Sequence, residues 1–292
     1  MFAADFEYRK AGSIAEAVQL LSDNPGAKLL AGGHSLIPLM RFRLARPEVV
    51  IDIGGIANLR GITVSGDTIN IGALTTHAEI AASADVQRSN GLLAEAAGGI
   101  GDPAVRNRGT IGGNLAHADP ASDWATVLTA LGASVSAQGP SGSRTVAVAD
   151  LIEDAFATAL EENELITTVS VPVLAANQRA EYAKMAHPAS FYAVVGGAVV
   201  VTMDGDRCTA ASVAVGGLTP RPVKAAAVEQ ALSGTTLTMS SISDATARLS
   251  EDLSSAGVDI IGDVYASAEF RAGVAPVEVK HALLHAIGLA HH

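Results

Sequence analysis

The chain has 292 residues, of which 49% are hydrophobic and 17% charged, and a net charge of −11. That length suits two domains, or one large domain with a distinct C-terminal unit, with enough apolar material for packed interiors and no disorder signature. The acidic balance argues against nucleic acid as the main partner, because phosphate binding needs clustered Lys and Arg.

Taken in chain order, Ser13 to Leu21 carries apolar side chains at helical spacing behind a Ser cap, which predicts a first helix. A strand at Ala27 to Ala31 leads into the loop Gly32-Gly33-His34-Ser35. Glu48 to Ile53 reads as a buried strand and Thr68 to Ile71 as an alternating one. Thr75 to Ala82 opens with hydroxyls and an early Glu, as a helix start does, and Leu92 to Ala97 continues helical. Gly98 to Asp123 is polar, Gly-rich and too long for a simple turn. Beyond it come a helix at Trp124 to Leu131, a strand at Ala133 to Ala137, and a strand at Leu165 to Val171 ended by Pro172. Val173 to Ala180 is the best domain boundary. Strands follow near Tyr192 to Met203 and Cys208 to Val215, then a turn at 216–220, a helix at Val223 to Leu232, and a last helix at Val277 to Leu289.

The run Ala193 to Met203 is interrupted by Gly196 and Gly197 and suits a buried strand, so no membrane span is expected. The N-terminal residues lack a basic segment followed by an apolar one, so no secretory signal is expected and the cytoplasm is the default location. One cysteine, Cys208, allows neither an internal disulfide nor a self-contained iron–sulfur cluster, and reads as a buried small hydrophobe. No metal-ligand spacing is present. The terminal His291-His292 is given no function.

Two glycine segments carry the chemistry: Ala31-Gly32-Gly33-His34-Ser35 after an apolar strand, and Thr110-Ile111-Gly112-Gly113-Asn114 after Arg106-Asn107-Arg108-Gly109. Paired glycines let the main chain approach a ligand, and successive N–H groups can form an anion nest. Either pair alone reads as a turn. Together, with hydroxyl and amide donors, they suit a diphosphate gripped from two sides. No GxxxxGK[ST] and no helix-opening GxGxxG occurs, which disfavours nucleotide hydrolysis and a Rossmann site.

The run Gly101 to Asp123, GDPAVRNRGTIGGNLAHADPASD, together with AGGHSLIPLM at 31–40, resembles the FAD-binding subunits of molybdenum hydroxylases. This family includes the medium subunit of aerobic carbon monoxide dehydrogenase and, more distantly, the flavin domain of xanthine dehydrogenase. The likeness covers nearly the whole chain, including GGLTPRPVKAAAVEQAL at 216–232. It implies an α+β fold: a PCMH or vanillyl-alcohol-oxidase-type FAD-binding domain over 1–176, with subdomains of about 1–56 and 57–176, then a C-terminal α+β domain over 177–292 with an antiparallel sheet.

Carried over by position, the resemblance puts Ala31, Gly32, Gly33, His34, Ser35 and Leu36 around the FAD pyrophosphate and ribityl region, with Ser35 donating. Thr110, Ile111, Gly112, Gly113 and Asn114 hold the diphosphate from the other side. Asp123 hydrogen-bonds the cofactor, Ile100 lies on the isoalloxazine, Ile166 at the nucleotide end, Lys184 near the flavin carbonyls and Tyr192 beside the flavin edge. Plainer readings stand beside these. Asp123 caps the helix from Trp124, Lys184 is a solvated lysine, and Tyr192, Ile100 and Ile166 are core. Arg106 and Arg108 touch phosphate or pair with carboxylates such as Asp102. His117 and Asp119 are loop hydrogen-bonding residues, and His77 is a helix-face histidine without a role.

The implied function is electron relay within a multi-subunit enzyme. A molybdenum-cofactor large subunit oxidises substrate, a small subunit with two [2Fe–2S] clusters passes electrons, and FAD on this chain delivers them to an external acceptor. No catalytic residue of its own is expected. The alternative is a stand-alone FAD oxidase or reductase of the same fold, with flavin attached covalently through His34, as in another branch of that superfamily.

Overall fold

The structure, a computed structural model, describes residues 2–289. His291 and His292 lie outside the described residues. Three sheets and a short two-stranded ribbon organise the chain.

The first sheet is parallel, with Val49–Asp52 between Glu7–Lys10 and Lys28–Leu30. Glu7–Lys10 has no apolar alternation and is exposed throughout, so no sequence pattern announces it. Helix Ile14–Asp23 starts where expected, because Ser13 accepts the Glu16 N–H at 3.1 Å. Its Ala17, Val18 and Leu21 join Ile51, Ile53 and Leu59 in one core.

The second sheet is antiparallel, in the order Ile62–Ser65, Thr68–Gly72, Leu165–Pro172, Ser134–Gly139, Gly142–Ala147. Alternation buries Ile69 and Ile71, which share a core with Leu93, Trp124 and Leu128 from helices Gly91–Gly98 and Asp123–Ala130. Two helices were hidden in the segment between them. Asp102 caps Pro103–Arg106 by accepting the Val105 N–H, and Thr110 caps Ile111–His117 by accepting the Gly113 N–H. A further helix, Leu36–Arg41, follows the first glycine segment. Pro38 masked it in the sequence, yet proline is tolerated in a first turn, whose N–H groups have no intrahelical partner.

The third sheet is antiparallel, with Ala193–Asp204 between Gln178–Ala186 and Arg207–Gly216, and Val223–Lys224 beyond. Val223–Lys224 was expected to be helical, but the helix is Ala226–Leu232. The apolar run in Ala193–Asp204 is explained by burial on both faces. Val195, Val199 and Val201 belong to the core under helix Ala268–Ala286, whereas Ala198 and Val200 join the core that contains helix Asp123–Ala130. The long helix begins well before Val277 and continues through Pro276, because buried Ala275, Val279, Ala282 and Leu283 hold both halves to the sheet. Cys208 is buried, as expected. Among the described residues no helix is long and apolar enough to cross a membrane.

Gly197 lets that helix close. A Cβ there would lie 2.9 Å from the backbone nitrogen of Val279. Gly197→Val should therefore destabilise the protein by about 1–3 kcal/mol through overpacking, read as a lowered Tm in thermal denaturation. An unchanged Tm would mean the helix shifts outward at no cost.

Candidate functional site

One cleft of about 910 Å3 runs between the first and second sheets and reaches the edge of the third. Its walls contain Ala31 to Leu36, Ile100, Thr110, Gly112, Gly113, Asn114, Asp123, Ile166 and Tyr192, so segments eighty residues apart in expectation meet on one surface. Two of the expected site residues do not line it. Ile111 points into the core, and Lys184 sits behind Asp123.

The two glycine segments touch directly. A Cβ on Gly32 would lie 2.0 Å from the carbonyl oxygen of Arg108, so no side chain fits there. Gly33 adopts a φ of 78°, a left-handed conformation that glycine takes without penalty. Among the described residues, the N–H groups of Gly32, Gly33, His34 and Ser35 make no hydrogen bond. Ser35 precedes helix Leu36–Arg41 without a capping bond from its hydroxyl. His34 is exposed on the cleft, with Nδ1 3.5 Å from the Gly32 carbonyl oxygen. This segment is a cradle with free donors.

The second segment works differently from the nest inferred from its glycines. The Ile111 N–H donates to the Thr75 carbonyl (3.1 Å), Gly112 to Ala73 (2.9 Å), Gly113 to Thr110 Oγ1 (3.2 Å) and Asn114 to Thr110 O (2.9 Å). Its main-chain donors from Ile111 to Asn114 are already engaged, because the segment is a capped helix start pinned to Ala73–Thr75 rather than an open loop. Its glycines provide clearance instead. A Cβ on Gly112 would meet Ala73 Cβ at 2.5 Å, and one on Gly113 would meet Thr110 Oγ1 at 2.7 Å. Asn114 Oδ1 accepts from Ser122 Oγ at 2.5 Å, which leaves its amide N–H groups available to the cleft.

Asp123 does not cap its helix. Ser122 does, accepting the Ala125 N–H, and Asp123 is the first helical residue. Its buried carboxylate accepts from Tyr182 OH at 2.7 Å and from Lys184 Nζ at 2.9 and 3.0 Å. Burial raises the Asp123 pKa, while Lys184 and Tyr182 oppose the rise. Burial and then the Asp123 charge raise Tyr182 well above its ordinary value. Lys184 Nζ also donates to Gly99 O (3.0 Å) and Phe191 O (2.9 Å), so it is not a solvated lysine. One ammonium ties together the turn before Ile100, the acid and the loop before Tyr192.

Several wall residues went unnoticed in the sequence. Phe156 and Phe191 line the cleft, are exposed, and hold φ angles of 59° and 61°. No local pattern announces an aromatic residue in that conformation. His117 ends a helix, and its ring lies 5.1 Å from that of Phe156, whereas Asp119 accepts the Ala121 N–H as a loop residue should. Among the described residues Arg106 pairs with no carboxylate: its Nη1 donates to the carbonyls of Ile100 and Gly101, and Asp102 is occupied in capping. His77 is buried and hydrogen-bonded to Trp124.

Residues 4–174 match the family model described as the FAD binding domain in molybdopterin dehydrogenase. The chain belongs to this FAD-binding family. Residues 180–286 match a second model, the CO dehydrogenase flavoprotein C-terminal domain. The chain is 38% identical over 290 residues to the carbon monoxide dehydrogenase medium chain of Afipia carboxidovorans, covering 97% of each. It is 37% identical to the 6-hydroxypseudooxynicotine dehydrogenase complex subunit alpha of Paenarthrobacter nicotinovorans, covering 97% of this chain and 94% of that one. A chain in the structure of carbon monoxide dehydrogenase from Hydrogenophaga pseudoflava superposes with a TM-score of 0.93 at 38% identity, with all of both chains covered. The cofactor of this flavoprotein family is FAD, and the cradle fits it: free main-chain N–H donors on one side, the free Asn114 amide on the other, and a close approach of the two segments that only glycine permits.

Two outcomes follow. Gly32→Ala should weaken FAD retention on the order of tenfold or more, because backbone must move to admit the methyl group; flavin content per polypeptide measures it. Lys184→Met should cost about 3–5 kcal/mol by leaving the Asp123 charge buried and unpaired. Since the carboxyl's folded pKa is raised, the penalty grows as pH climbs from the ordinary carboxylate value through the raised one. Denaturation should therefore find this variant's deficit larger at pH 8 than at pH 5.

Proposed function

We propose that this chain is the electron-relay subunit of a molybdenum hydroxylase. It takes electrons from the [2Fe–2S] clusters of a small partner subunit and delivers them to an external acceptor. A large partner subunit carries the molybdenum cofactor, in a heterohexamer-type cytoplasmic assembly. When bound, FAD supplies the two-electron store that joins single-electron carriers to that acceptor. The observation carrying the reading is the contact of Gly32 with the Arg108 carbonyl, which brings both glycine segments to one dinucleotide-sized cleft. Relatives named as medium chains or complex subunits support the division of labour.

The residues divide the work. Gly32 to Ser35 offer main-chain donors to the diphosphate, with Ser35 Oγ and the Asn114 amide alongside. Ile100 and Ile166 supply apolar wall at opposite ends of the cleft. Tyr192 and Phe191 shield the end beside Asp123. Lys184 acts through Asp123: two opposite charges in hydrogen-bond contact present almost no net field to the cleft, so the lysine orders the wall more than it attracts an anion.

The purified chain should be yellow, and acid precipitation should leave its flavin in the supernatant as intact FAD. Flavin retained in the pellet would instead support covalent attachment through His34 and the stand-alone oxidase. Co-expression with a molybdenum-binding chain and a cysteine-rich small chain should yield one complex whose substrate bleaches the flavin. Bleaching by substrate in the isolated chain would overturn the relay assignment.

A further inference from the structure

Away from the glycine segments, one buried side chain on the cleft wall has a nitrogen without a partner. His77 opens the helix His77–Ala82, is 2% exposed, and lines the cleft. Its backbone N–H donates to the Gly109 carbonyl at 3.0 Å, and the preceding Thr76 bridges to Thr110. The ring is thereby seated against the second glycine segment. Its Nε2 would lie 2.8 Å from a Cβ on Gly109.

Trp124 fixes the state of that ring. Its indole Nε1–H donates to His77 Nδ1 at 3.0 Å. An indole nitrogen is only a donor, so Nδ1 must hold a lone pair, and the proton of the neutral imidazole is on Nε2. Burial, with smaller contributions from the nearby charges of His34 and Arg106, lowers the His77 pKa to about 4, which keeps the ring neutral at ordinary pH. Among the described residues nothing accepts from Nε2. Nε2 is not one of the fully buried unpaired side-chain atoms, which among those residues are Asn90 Oδ1 and Thr129 Oγ1, so this donor keeps access to the cleft, where an anionic ligand oxygen can accept from it.

We propose that His77 is a cofactor-binding residue: with Trp124 holding Nδ1, it presents Nε2–H as a tautomer-locked donor to a diphosphate oxygen of the cofactor, where the two glycine segments meet. This rests on the FAD reading above and adds to it a donor from outside either glycine motif. In a cleft whose second segment has spent the main-chain N–H groups of Ile111 to Asn114, a side-chain donor on that side adds to what the backbone offers.

The test uses the full-length chain stripped of flavin, titrated with FAD, with ADP, which keeps the diphosphate, and with riboflavin, which lacks it. His77→Phe should weaken FAD and ADP by a similar factor of about ten to a hundred, as expected for a lost bond to a charged group, and leave riboflavin unaffected. Trp124→Phe should produce a smaller loss, because the ring may then place its proton on either nitrogen. Nitrogen-15 NMR of the wild-type chain should find Nε2 protonated and Nδ1 bare, with the Nε2 signal moving on addition of FAD or ADP and not riboflavin. Unchanged FAD affinity in His77→Phe, equal losses for all three ligands, or an Nδ1-protonated ring would overturn the proposal. If His77→Phe does not fold, the wild-type spectra alone decide. A wild-type chain that takes up no FAD would sink the cofactor reading instead.

Discussion

The molecule depends on an approach that leaves no room for a side chain. Gly32 meets the Arg108 carbonyl so closely that a methyl group would overlap it, and this contact fixes the distance between two glycine segments that lie far apart in the chain. The first segment extends from a parallel sheet, and the second is held by Ala73 and Thr75 at the edge of an antiparallel one. A cleft between two differently built sheets can keep a constant width only where they touch. Here they touch at main chain, which has no rotamers to relax.

The second organising feature is electrostatic. Asp123 is buried and Lys184 mostly so, and the buried carboxylate could not remain charged alone. Paired, they recruit Tyr182, the Gly99 carbonyl and the Phe191 carbonyl. Gly196 keeps Tyr182 in place, since a Cβ there would collide with the phenol oxygen. A charged pair of this kind contributes little net stability, and its value lies in specifying one arrangement of three segments.

Much of this was legible in the sequence. Glycine pairs with hydroxyl neighbours read as ligand loops, and AGGHS has the free main-chain donors such a loop needs, because a glycine at φ 78° followed by unpaired N–H groups is a local matter. TIGGN read the same way and is a capped helix start. The Ile111 and Gly112 N–H groups are taken by the Thr75 and Ala73 carbonyls, nearly forty positions earlier, and that pairing leaves no trace in the five letters themselves. Lys184 reads from the sequence as a lysine near the flavin carbonyls or a solvated one, and its partners, an acid and two carbonyls from three distant segments, are not legible there. His77 reads from the sequence as a helix-face histidine without a role. Its neighbour, Trp124, is 47 positions away. The helix expected from Val277 begins at Ala268 and runs through Pro276, because tertiary burial outweighs a local helix breaker.

Helix Asp123–Ala130 is buried at every position, and its residues share one interior with Ala198, Val200 and Ala214 of the third sheet. Gly216 brings that sheet within touching distance of Thr126. The strand Ala193–Asp204 meanwhile belongs to two interiors at once. A chain severed in the connector after Pro172 would thus yield neither half as a self-sufficient globule. Each fragment would carry an oily flank that only the other can cover, so the two must mature together.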